Sequence, residues 1–178
     1  MTTSADLPIV LTGFMGAGKT TIGRLLAKAL GRTFADLDEH IESVAGKSIP
    51  ALFLENGEAG FRTLEADVLD SLLGVTPAMI IAAGGGSVVR EENRTRLRER
   101  AVTIFLDPPF DEIWRRIAEN RRHRPLACDA SREDLERLHA ERYSWYADSA
   151  EIRIAETASP DKILIDITSA LESFRPLS

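Results

Sequence analysis

The sequence predicts an α/β chain, a three-layer sandwich in which helices cover both faces of a five-stranded parallel sheet. Three observations predict it. Short apolar runs alternate with helical patterns along the whole chain, as parallel strands joined by crossover helices require. The run Met79 to Ala82 is apolar without alternation, the pattern of a strand buried on both faces. The first run, Ile9-Val10-Leu11, leads into Gly13-Phe14-Met15-Gly16-Ala17-Gly18-Lys19-Thr20, which has the spacing of a phosphate loop, and then into a helical pattern with Ile22, Leu25, Leu26 and Ala29 on one face.

Taken in order, the first strand is expected over about Leu7 to Leu11 and the first helix over Lys19 to Leu30, closed by Gly31 as a C-cap. A strand from Thr33 to Leu37 leads to Asp38, read as the N-cap of a helix carrying Ile41 and Val44. Helical segments follow over Ile49 to Leu54 and Glu58 to Leu73. The third strand, Met79 to Ala82, ends in Gly84-Gly85-Gly86. A polar helix, Glu91 to Arg100, precedes a fourth strand, Val102 to Leu106, and Pro108-Pro109 introduces a helix through Ile113, Trp114 and Ile117. A long helix from Arg132 to Ala150, a strand near Ile152 to Ala155 and a helix from Pro160 to Phe174 complete the chain. No internal repeat or linker appears, so residues 1–178 are read as one domain.

Composition bounds the function. A chain of 178 residues, 44% hydrophobic, can bury one good core. Its apolar runs are too short to span a bilayer, and Met1-Thr2-Thr3-Ser4-Ala5-Asp6 lacks the basic and apolar regions of a signal peptide, so a cytoplasmic protein is expected. A net charge of −6 argues against broad nucleic-acid binding, which needs an electropositive face. The single cysteine, Cys128, can form neither an internal disulfide nor a metal cluster by itself.

In a phosphate loop the glycines turn backbone N–H groups inward, the helix start adds positive partial charge, and Lys19 reaches the terminal phosphates. Thr20 supplies a hydroxyl ligand for Mg²⁺. The same residues could form a plain strand-to-helix turn, but Lys-Thr at the correct offset favours nucleotide. The phosphate acceptor must be read at the other strand ends, where α/β sheets place their ligands. Asp36 and Asp38 close the second strand; one carboxylate can hold Mg²⁺ or its water shell and the other an acceptor hydroxyl, or they can be a turn residue and a helix cap. Gly84-Gly85-Gly86 lets backbone approach a ligand closely, or is a flexible turn. Phe61-Arg62 puts a ring beside a guanidinium suited to gripping a carboxylate through two parallel hydrogen bonds, or is a core ring beside a surface cation. His40 and His139 read as solvent-facing helix residues, and no role is given to His123 or Cys128.

Together these pieces resemble one family, the shikimate kinases, P-loop phosphotransferases of the nucleoside-monophosphate-kinase fold. The resemblance covers nearly the whole chain. It rests on the phosphate loop, Asp36-Leu37-Asp38, Gly57-Glu58 with Phe61-Arg62, Gly84-Gly85-Gly86, Arg124-Pro125-Leu126, and Glu141-Arg142 followed by Tyr146, all in family order. It implies ATP as phosphate donor, Mg²⁺ as cofactor, and shikimate as a small-molecule acceptor phosphorylated on its 3-hydroxyl in chorismate biosynthesis. The nucleotide would lie against Gly13, Gly16, Ala17, Gly18, Lys19, Thr20 and Thr21, with Thr157, Ser159 and Pro160 beside adenine. Thr20 and Asp36 would serve the metal. Asp38 would orient the attacking hydroxyl and serve as the candidate to deprotonate it. Arg62 and Arg142 would clamp the carboxylate, the backbone of Gly84, Gly85 and Gly86 would hold the ring, and Phe53 and Phe61 would form an apolar wall. Arg124 would swing in on a mobile lid spanning about Glu119 to Ser131 and join Lys19 and Asp38 in catalysis. The helical segment of about 38–73 would bind the acceptor, and a monomer without nucleic-acid or membrane partners is expected.

Two positions depart from the family pattern. Ile117 stands where an adenine-packing arginine is often found, with Arg116 beside it, so either the lid is registered differently by one residue or Arg121 takes the task. Gly60 stands where an acidic residue is common. Two other functions remain to be separated: a different small-molecule or nucleotide kinase on the same fold, and a catalytically silent ATP-binding module.

Overall fold

The computed structural model describes residues 7–119, 130–155 and 159–174. Its elements are β1 (Ile9–Thr12), α1 (Lys19–Leu30), β2 (Phe34–Asp36), α2 (Leu37–Ala45), α3 (Ile49–Leu73), β3 (Ile80–Ala82), α4 (Glu91–Arg100), β4 (Val102–Leu106), α5 (Phe110–Glu119), α6 (Arg132–Asp148), β5 (Ile152–Ile154) and α7 (Pro160–Ser173). The strands form one five-stranded sheet in the order β2-β3-β1-β4-β5. Every pairing is parallel, with Val10 of β1 opposite Ile81 on one side and Thr103 on the other.

Alternation along the strands divides the core into two faces. Ile9, Leu11, Ile80, Ile104 and Ile152 pack under α1 and α7, through Ile22, Leu26, Ile163 and Ile167. Val10, Ile81 and Phe105 point the other way, toward Leu37, Ile41, Leu69, Leu97, Ile113 and Tyr146 on the remaining helices. These are the three layers expected. Because every strand runs in the same direction, the β1–α1, β2–α2 and β3–α4 connections all open at one edge of the sheet, where α/β folds bind ligands.

Several local expectations need correction. β2 ends at Asp36 and α2 begins at Leu37, so Asp36, not Asp38, is the N-cap: its side chain accepts the N–H groups of Asp38 and Glu39. Asp38 lies in the first turn of α2 and not on the strand. The two helical segments expected after Ile49 are both present: α3 is interrupted at Gly57, whose φ of 63° and ψ of 179° are non-helical. His139 is not solvent-facing. Its ring is half-buried between Phe14 and Phe110, at centroid distances of 5.3 and 5.4 Å, and burial pushes its pKa down. His40 is exposed, as expected. Arg121, Arg124, Cys128 and Thr157 lie outside the described residues, with all but the ends of the expected lid.

Candidate active site

The loop between β1 and α1 has positive φ at Gly13, Gly16 and Gly18. Lys19 Nζ donates to the carbonyls of Gly13 and Phe14 at 2.8 and 3.0 Å, so its ammonium is held over the loop at the N-terminus of α1. At the position of the nucleotide-side departure, Ile117 is fully buried against the loop and the neighbouring Arg116 reaches the same loop. The Arg116 guanidinium donates to Gly16 O at 3.4 Å and Ala17 O at 3.3 Å, while its Nε pairs with Glu112. Ser159 caps α7 and Pro160 opens it; neither forms part of the cleft wall described next.

Beyond the loop lies a cleft of about 940 Å³ whose walls come from the P-loop, α2, α3, the turn after β3, and α6. On the metal side, Thr20 Oγ1 donates to Asp36 Oδ2 at 2.7 Å. The other oxygen of Asp36 takes the α2 N–H groups, which fixes the carboxylate toward Thr20. A hydroxyl and a carboxylate at this spacing are the hard oxygen donors Mg²⁺ takes, and their number fits an ion that completes its shell with waters and phosphate oxygens. Among the described residues no group of three or more acidic, His or Cys side chains could form a protein-only cage.

The acceptor side is organised by Gly84, Gly85 and Gly86, each of which meets one predicted residue. A Cβ at Gly84 would stand 2.6 Å from Asp38 Oδ1, and one at Gly86 would stand 2.7 Å from Arg62 Cζ, so a side chain at either position would displace the functional group that faces it. Gly85 O accepts Arg142 Nη1 at 3.2 Å and also the Tyr146 hydroxyl. Burial pushes the Tyr146 phenol up to about 12, which keeps it protonated and donating. Phe53 and Phe61 stack with centroids 4.4 Å apart, and Arg62 Cζ lies 5.3 Å from the Phe61 centroid. The structure therefore brings Lys19, Asp38, Phe53, Phe61, Arg62 and Arg142 around one space.

Electrostatics distinguish the two aspartates. Burial raises Asp38 from an ordinary carboxylate value to about 6, the negative charges of Asp36 and Glu65 push the same way, and Lys19 and Arg62 oppose them. A carboxylate tuned toward neutrality can both accept a hydrogen bond and take a proton. Arg62 is held by Glu65, whose Oε2 lies 2.8 Å from Nη1. Its Nε is buried and makes no hydrogen bond, although Glu58 Oε1 is 3.5 Å away.

Sequence reasoning passed over Glu65, which is 1% exposed. The signal was present: an acid three residues after Arg62 shares its helix face. Arg116 was noted only as a neighbour of Ile117, and Tyr146 only as part of a motif.

Comparison with known proteins identifies the group to which this site belongs. The model of one protein family, shikimate kinase, matches residues 15–172. This chain belongs to the shikimate kinase family. Among curated relatives, the shikimate kinase of Bordetella avium is 44% identical over 160 residues, 90% of this chain and 76% of that protein. The shikimate kinase of Rhodopseudomonas palustris is 44% identical over 172 residues, 95% of this chain and 83% of that protein. Among solved structures, the shikimate kinase of Acinetobacter baumannii in complex with shikimate matches with a TM-score of 0.87 and 34% identity, covering 95% of each chain. A gluconokinase from Sinorhizobium meliloti matches with a TM-score of 0.63 at 16% identity, which shows a shared fold alone. As a shikimate kinase family member, the chain has the P-loop kinase fold expected from its sequence, and use of ATP follows from membership.

Proposed function

We propose that this protein transfers the γ-phosphoryl group of ATP to the 3-hydroxyl of shikimate, yielding shikimate 3-phosphate and ADP. The observation that carries the reading is the convergence of Asp38, Arg142 and Arg62 on three successive glycines, across the cleft from Lys19. An acceptor with a carboxylate at one end and a ring of hydroxyls at the other fits that arrangement.

In this reading the Arg62 Nε–H, which makes no hydrogen bond although it faces Glu58 at 3.5 Å, turns to a bound carboxylate, and Arg142 reaches the same group from α6. Phe53 and Phe61 cover one face of the ring. Asp38 accepts the hydrogen bond of the attacking hydroxyl and takes its proton as the new P–O bond forms. Phosphoryl transfer proceeds through a loose transition state, so the chain's main tasks are to align the two oxygens and to neutralise charge. Lys19 does so on the transferring phosphate, and Arg124, outside the described residues, is assigned to the same oxygens. Thr20 and Asp36 would hold Mg²⁺, which when bound would supply positive charge to neutralise the phosphates. Arg116 is placed to cover the nucleotide from the P-loop side.

The test is ADP release measured with ATP and Mg²⁺ in the presence of shikimate, gluconate or a nucleoside monophosphate. Turnover with shikimate alone supports the reading. Turnover only with gluconate or the nucleotide moves the protein to another acceptor, and absence of turnover with any acceptor would leave a binding module.

A further inference from the structure

Behind the acceptor wall runs a chain of buried polar groups to which the proposed reaction assigns no task. A carboxylate as buried as that of Glu65, 1% exposed, survives only if each oxygen is paired and hydrogen-bonded. Glu65 meets that condition from two sides: Oε2 takes Arg62 Nη1 at 2.8 Å, and Oε1 takes the Ser87 hydroxyl at 3.1 Å. Ser87 is fully buried and is itself fixed at both ends of its backbone. Its N–H donates to Gly84 O at 3.0 Å, closing the glycine turn, and its carbonyl accepts Asn93 Nδ2 at 2.9 Å. Asn93, fully buried on α4, accepts Arg96 Nη1 at 3.3 Å, and Arg96 pairs with Asp70 of α3 at 3.2 Å. The path leaves α3 at Arg62, crosses the turn and α4, and returns to α3 two helical turns further on.

We infer that Ser87 is a positioning residue for acceptor specificity. It is the joint between the two halves of the acceptor site, one being the glycine turn that faces the ring and the other the Arg62 clamp that faces the carboxylate. A carboxylate can rotate about its terminal bond, and with one oxygen bound only to Arg62 the pair could swing together. The Ser87 hydroxyl removes that freedom, and because Ser87 also closes the turn, the distance between guanidinium and glycine backbone is set by a single residue. The parts lie close together: a Cβ at Gly84 would lie 3.3 Å from both Ser87 Oγ and Glu65 Oε1, as well as 2.6 Å from Asp38 Oδ1. The inference rests on the reading of Arg62 as the carboxylate clamp.

The experiment titrates the intact chain with shikimate in the presence of ADP and Mg²⁺, and with ADP alone, for wild type, Ser87→Ala, Ser87→Cys, Glu65→Gln, the Ser87→Ala/Glu65→Gln double variant and Arg62→Ala. Steady-state kinetics accompany each. Alanine leaves the space of the hydroxyl empty and cysteine, larger than serine, fills it, while neither donates as serine does, so a loss shared by both belongs to the hydroxyl. Both Ser87 variants should raise the shikimate Kd and KM about tenfold while leaving ADP affinity unchanged, the result of a buried bond lost and a clamp misaligned. In the Glu65→Gln background Ser87→Ala should add little, because the coupled partner is already altered. Wild-type shikimate affinity in Ser87→Cys, or equal weakening of ADP, would overturn the inference and reduce Ser87 to packing. So would an undiminished effect of Ser87→Ala beside Glu65→Gln. Arg62→Ala separates the two levels: if it binds shikimate like wild type, the clamp reading itself fails, whereas weakened Arg62→Ala beside neutral Ser87 variants rejects only the joint.

Discussion

Asp38 is where local physics and chemistry are most tightly linked. Its folded pKa of about 6 stands above the ordinary 3.8, so the fold favours the protonated form and the ionised carboxylate costs stability at neutral pH. That cost is present above pH 6, shrinks as pH falls through the folded value, and is gone below the unfolded one. Asp38→Asn should therefore be more stable than wild type at pH 7.5 by about 1–3 kcal/mol, a gain that disappears near pH 4 in thermal melts across pH. The same variant should lose turnover by about a hundredfold or more, as expected when a proton acceptor is removed. In wild type, kcat/KM for shikimate should fall on the acid side with a midpoint near 6. An acid limb near 4 would separate Asp38 from the proton transfer. The two aspartates were legible in the sequence as a pair, but not their division of labour, because the point where β2 stops decides which of them caps α2, and Asp38 is buried by residues distant in the chain, Gly84 among them. Glu65 and His139 were missed for a related reason. Each is a polar residue on a helix, and what surrounds it comes from positions distant in the chain: Ser87 in one case, Phe14 and Phe110 in the other.

At the scale of elements, Asp36 does two jobs that two substitutions can separate. Asp36→Ala removes the α2 cap together with the partner of Thr20, and should cost about 1 kcal/mol in melts performed in EDTA. Asp36→Asn retains an acceptor for the cap, so its melt should stay close to wild type. Its turnover should nonetheless require a higher Mg²⁺ concentration, because a charged oxygen has been lost. Equal Mg²⁺ dependence in Asn and wild type would remove Asp36 from the metal shell. The break in α3 offers a second test. Gly57 sits at φ 63° and ψ 179°, a region closed to residues with a Cβ, so Gly57→Ala should destabilise by about 1–3 kcal/mol. Because Glu58, Phe61 and Arg62 follow within the next five residues, it should also raise the shikimate KM more than the ATP KM. The sequence signalled two helical segments here, since Gly57 interrupts the pattern.

At the scale of the whole molecule, the proposed nucleotide and acceptor residues line one cleft, so binding of the two substrates should stabilise the folded chain as a unit. Saturation to about a hundred times Kd adds about 2.7 kcal/mol per ligand by mass action. Shikimate with ADP and Mg²⁺ should therefore raise the melting temperature above ADP and Mg²⁺ alone, while Arg62→Ala should respond to ADP only. A shikimate-induced rise surviving in Arg62→Ala would move the acceptor elsewhere on the molecule. By itself the sequence determined the features whose information is contiguous. Glycine spacing with Lys19 and Thr20 defines a phosphate cradle, because a loop and the first turn of a helix are built from neighbouring residues. Alternating apolar runs define a parallel sheet, because burial on both faces leaves a local pattern. Only the tertiary structure decided which charge meets which. Asp38, Arg142 and Arg62 come together because three strands end side by side and three helices cross above them. The energy of a buried ion pair or a shifted carboxylate depends on those distances, which no stretch of chain contains.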